Sequence, residues 1–122
     1  MGKIIVDDTF DTSGLDSNQK IDIPELFKVI DATYLMNRDG QYTSDQRAEF
    51  LTKGDRLLEQ ATQIVKVYFE KGVEEIKTAN KEIKKTKNSI NQSLLDIEKT
   101  ADTIEQLGTL INSLSAVINL LP

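Results

Sequence analysis

Seven isoleucines, Ile76, Ile83, Ile90, Ile97, Ile104, Ile111 and Ile118, stand seven residues apart, and no isoleucine after Ile64 falls outside that row. An α-helix drifts by about 20° per heptad, so a strict repeat of seven stays aligned only against another helix. The row therefore demands long helices and something for them to pack on. With the isoleucines at a, the d positions are Ala79, Thr86, Ser93, Thr100, Leu107, Leu114 and Leu121. The same d row runs backwards through Gly72, Val65, Leu58 and Leu51.

The seam has two characters. From 104 to 121 it pairs Ile at a with Leu at d, and Leu110 and Val117 widen the apolar face beyond a two-stranded coil. A three- or four-helix core suits that width. From 76 to 100 the d residues are small or hydroxylated, which brings helix axes close and is expected to leave the seam wetter. The seam is therefore expected to be anchored at its C-terminal end, with truncation of Ile111 costing more than truncation of Ile83.

Helix punctuation is clear at two places. Asp22 can N-cap, Pro24 suits a first turn, and Glu25 completes a capping box. Leu26, Phe27, Ile30 and Tyr34 then share a face, and Gly40 follows as a stop, predicting a helix over 23–37. Thr43 and Gln46 have capping-box spacing, and no proline occurs between Pro24 and Pro122. A helical region over 44–120 follows. As one rod it would be about 110 Å long at 1.5 Å per residue and could not bury its own stripe. It must fold back or associate. The isoleucine register passes unbroken through Ile90, which argues against a turn at 88–93 and favours one at Gly72, with helices over 44–71 and 73–120.

These readings give an all-α chain: a short N-terminal helix plus a long heptad-patterned helix or helical hairpin, with bundle or coiled-coil packing. Residues 1–21 form a polar, loosely ordered arm, to which Ile4-Ile5-Val6 adds a short strand at most. Residues 22–122 form the helical bundle domain. Association between chains is favoured over a self-contained hairpin. The expected interface is Ile76, Ile83, Ile90, Ile97, Ile104, Leu107, Ile111, Leu114, Ile118 and Leu121, and the expected state is a homo-oligomer.

Composition narrows the chemistry. The chain has no Cys, His or Trp, so thiolate, Ser-His and Cys/His zinc chemistry is excluded within one chain. No P-loop, GxGxxG or GxSxG pattern occurs. No catalytic residue and no cofactor is expected. The net charge of −5 speaks against general nucleic-acid binding. Lys77, Lys81, Lys84, Lys85 and Lys87 form a run that reads first as a solvated helix face and second as a patch for an acidic protein partner. Asp16–Phe27 resembles a calcium-binding EF-hand loop entering its exit helix, with Asp16 and Asn18 at the first two ligand positions. Lys20 takes the third and the turn glycine is missing, so no metal is expected.

The N-terminal apolar run is far short of a secretory signal, which predicts a cytosolic protein or one exported without a cleaved signal peptide. No charge follows Glu105. That C-terminal segment reads as a bundle helix buried nearly all round. Two functions follow: a non-enzymatic assembly or adaptor protein, or, less favoured, an exported or membrane-active helical protein such as a secretion-system or pore-forming component.

Overall fold

The computed structural model describes residues 18–121 and the backbone of Ile4–Val6. Strand β1 is Ile4–Val6 and strand β2 is Val67–Phe69. The helices are α1 (Ile23–Arg38), α2 (Ser44–Ile64), α3 (Glu74–Leu95) and α4 (Thr100–Ile118), with a single 3-10 turn at Ile97–Lys99 before α4. The chain is mostly helical, and its four helices pack against one another. Most of the arm expected over 1–21 lies outside the described residues.

Both helix starts are capped, but the box expected at Asp22 and Glu25 closes on one side only, because the Asp22 amide donates to Asn80 and the Glu25 carboxylate pairs with Lys28 and Lys87. The Asp22 side chain accepts from the Glu25 amide at 3.3 Å. Thr43 accepts from the Gln46 amide at 3.1 Å while the Gln46 side chain accepts from the Thr43 amide at 3.0 Å, a complete capping box. Such caps satisfy amides that a helix start otherwise leaves unpaired.

The helices form two antiparallel hairpins. In the first, Tyr34 of α1 reaches Asp55 of α2, and Asn37 donates to the Arg47 carbonyl. Gly54 allows the close crossing: a Cβ there would meet Tyr34 at 3.2 Å and Thr33 at 3.4 Å. In the second, Thr103 of α4 donates to the Ser89 carbonyl and Gln106 donates to Glu82 and Thr86, so α4 runs back along α3. The hairpins close on each other as α1 packs on α3 and α2 on α4. One core fills the centre: Leu26, Val29 and Ile30 from α1, Phe50, Leu57 and Ile64 from α2, Ile76, Ile83 and Ile90 from α3, and Leu107, Leu110 and Leu114 from α4. Each such side chain contributes roughly 1.5–3 kcal/mol by leaving water.

The long helical region is broken twice. Helix α2 ends at Ile64, not near 71, because Val67-Tyr68-Phe69 is a β-branched and aromatic run that is buried as a strand. Strand β2 pairs antiparallel with β1, matching Ile4 to Phe69 and Val6 to Val67. Its other edge is taken by the chain before α1: the Phe69 amide donates to the Gln19 carbonyl at 2.8 Å, and Lys20 bridges Tyr68. Gly72 lies in this break, where a Cβ would fall 2.5 Å from the Asn18 side-chain nitrogen.

The second break corrects the expectation of one helix over 73–120. Asp96 leaves the helical conformation at φ −143°, ψ 104°, and its carboxylate accepts from the Glu98 amide at 3.0 Å. The Lys99 amide then donates to the Asp96 carbonyl, and the Thr100 hydroxyl closes on the Ile97 carbonyl at 2.6 Å. A side-chain acceptor that holds the next turn's amides stops one helix and starts another.

Candidate functional site

The isoleucine row is divided by these breaks. Ile76, Ile83 and Ile90 lie in the core, each almost fully buried. Ile97 falls in the turn and is 48% exposed. Ile104, Ile111 and Ile118 are partly buried on the flank of α4, and Leu121 is partly buried beyond it. Leu107 and Leu114 are fully buried, with Leu110 and Val117 beside them. The centre of the α4 face is therefore the Leu row, not the Ile row. The expected anchoring at Ile111 is reversed, because Ile83 is 1% exposed and Ile111 only partly covered.

The polar d positions are not wet. Thr86, Ser93 and Thr100 are fully buried, as is Ala79 in the same row. Their hydroxyls bond back to helix carbonyls: Thr86 to Glu82 at 2.7 Å and Ser93 to Ile90 at 3.1 Å. A hydroxyl satisfied by its own helix can be buried without water. Gln106 donates to the Glu82 carboxylate at 2.7 Å, and Lys85 stands 3.6 Å from the other oxygen.

Leu35, Leu51 and Leu58 are exposed singly on α1 and α2, and two larger features stand out beside them. The first is the end of the molecule where both hairpins turn. Tyr42, from the α1–α2 loop, donates to the Ser93 carbonyl at 3.3 Å and stacks edge-on against Phe50. Beyond it Leu94, Leu95 and Ile97 project from the α3–α4 turn, with Leu95 92% exposed. Large apolar side chains left in water on one short turn gain nothing from the fold that presents them.

The second is a groove of about 1110 Å³ between the start of α1, the Val65–Val67 segment and α3. Its floor is apolar: Ile21, Val67 and Ile83 are buried beneath it, and Ile23 and Val65 stand at its sides. Lys20, Lys66, Lys77, Lys81, Lys84 and Lys87 line it, against Asp22 and Glu25. The frame is pinned. The Asn80 side chain accepts from the Asp22 amide at 2.9 Å and donates to the Lys20 carbonyl at 3.0 Å. Gln19 donates to the Phe69 and Glu70 carbonyls at 3.1 and 2.9 Å. Glu25 is neutralised within the rim, 3.0 Å from both Lys87 and Lys28. Its carboxyl is held below the ordinary carboxylate value by Lys87 first and Lys28 second.

No protein-family model, curated protein or solved structure matches the chain.

Among the described residues no three acids gather as a metal site. Asp16 lies outside them, and the Asn18 side chain packs on Gly72. The groove gathers lysines that the sequence spread over residues 20, 66 and 77–87. The Lys run announced one wall, but nothing in the linear pattern placed Lys20 and Lys66 opposite it.

Proposed function

We propose that the protein is a non-enzymatic assembly or adaptor protein, in which α3 and α4 form a coiled-coil-like arm and copies of the chain associate through its turn. The exposure of Leu94, Leu95 and Ile97 carries this reading. Burying such side chains against a second surface recovers the transfer free energy that folding leaves unused. Ile97 is also the member of the isoleucine row that the core leaves out.

Light scattering across a range of protein concentrations tests it. The expected mass is a multiple of one chain, and Leu95→Ser with Ile97→Ser returns it to one chain without loss of helical signal. A single-chain mass at every concentration, or a double variant of unchanged mass, overturns the reading.

The membrane-active alternative is less supported. Among the described residues no helix is long and apolar enough to cross a membrane. The apolar side of α4, with Leu107, Leu110, Leu114 and Val117, is spent on the core, so inserting it requires taking the bundle apart. Dye release from vesicles by the folded protein would favour the alternative.

A further inference from the structure

We propose that the groove between the start of α1, Val65–Val67 and α3 binds an acidic polypeptide segment whose carboxylates alternate with apolar side chains. This does not depend on self-association, which uses the opposite end of α3.

The charge is concentrated where it is costly. Six of the chain's fifteen Lys and Arg residues surround one groove, in a chain whose net charge is −5. Lys77, Lys81 and Lys84 follow each other at helical spacing, and among the described residues none of the three has an ion-pair partner. Their neighbours one turn away are other lysines and the uncharged Val73, Thr78, Asn80 and Asn88, with Glu74 alone as an acid. Like charges one turn apart destabilise a helix. Elsewhere Lys28 pairs with Glu25, Lys53 with Glu49, Arg56 with Glu59 and Lys85 with Glu82, while Lys71 and Lys99 stand singly and not in a row.

The shape selects among anionic partners. A nucleic acid offers a continuous phosphate row and is read by Arg and by stacking aromatics. This groove contains neither Arg nor an aromatic side chain, and its floor is aliphatic. An acidic segment with interspersed apolar residues meets both parts: carboxylates at the lysine rim, apolar side chains over Ile21, Val67 and Ile83. The lysines steer the encounter, and the buried apolar contacts set the lifetime.

The probe is a fluorescein-labelled peptide of repeating Glu-Glu-Leu, followed by anisotropy at low and physiological salt. The expected result is saturable binding that weakens with salt and falls roughly tenfold in Lys77→Gln, Lys81→Gln, Lys84→Gln. These exposed changes keep helix propensity, so the melting temperature stays near wild type. Val65→Ser, and a Glu-Glu-Ser probe, should each weaken binding by removing its apolar part. Lys53→Gln, on another face, should leave it unchanged. Absence of binding, equal loss in the Lys53 control, or tighter binding of a single-stranded oligonucleotide of equal charge overturns the assignment. Leu95→Ser with Ile97→Ser should bind the peptide normally, which separates this proposal from the association reading.

Discussion

Among the described residues, Tyr34 stands out for how far the fold shifts its chemistry. Its hydroxyl donates to the Asp55 carboxylate at 2.6 Å, joining α1 to α2. The hydrogen bond to Asp55 pushes the phenol up to about 12, with burial and the carboxylate's charge adding to it. A group whose folded value is raised contributes stability that is fully present below the unfolded value, about 10 for tyrosine, and lost as pH rises through the folded value. The contact therefore works across the neutral range and fails between about 10 and 12. An ultraviolet titration should find a tyrosine ionising at about 12, and Asp55→Asn should move it back towards about 10. A highest-titrating tyrosine indifferent to Asp55→Asn would show that the bond is absent in solution. Gln60 is a harder case. Fully buried on α2, it donates to the Ile111 carbonyl and the Ser115 hydroxyl, both at 2.9 Å, while its own side-chain oxygen has no partner. Tyr34 was legible as one more residue on the α1 face. The Tyr34–Asp55 pairing, at a separation of 21 residues, was not.

At the scale of elements, local punctuation outperformed long-range periodicity. Asp22, Thr43 and Gln46 announced their helices because capping is settled within four residues. The heptad row announced that long helices pack together, but not which ones. The spacing of seven runs straight through a chain reversal, with Ile90 in the core, Ile97 in the turn and Ile104 on the flank of α4. The overlooked signal was Asp96 with Glu98 close behind, the same kind of acceptor that began α1. Burial turns this into a measurement. Ile83→Ala removes a side chain from the closed core and should cost about 2–5 kcal/mol. Ile111→Ala acts at a partly exposed flank and should cost less. Urea melts of the two variants check the order, and a larger loss at Ile111 would restore the isoleucine row as the centre of the α4 seam.

The whole molecule is two helical hairpins joined by a segment that crosses between them and carries β2. All-α class was legible in the capping and the periodicity. The arrangement was not, because it depends on which faces meet, and the contacts that join the two hairpins span 50 residues or more, as Tyr42 with Ser93 and Gln60 with Ile111 do. The ladder is small: β1 is joined to the bundle through its pairing with the three residues of β2. Two-stranded ladders this short are marginal on their own and open at lower free energy than long packed helices. Amide exchange should therefore release the β1–β2 hydrogen bonds before those in the middle of α3, and equal protection of the two would mean the ladder opens only with the core. The ladder also has a temporal consequence. Among the described residues the strand that pairs with β1 is β2, in a register that runs from Val67 to Phe69. During synthesis the α1–α2 hairpin can close as soon as α2 is complete, but the first strand must wait until the chain has been made past Phe69. Strand β1 is made before every helix of the bundle and is seated only after the first two of them and β2 have followed.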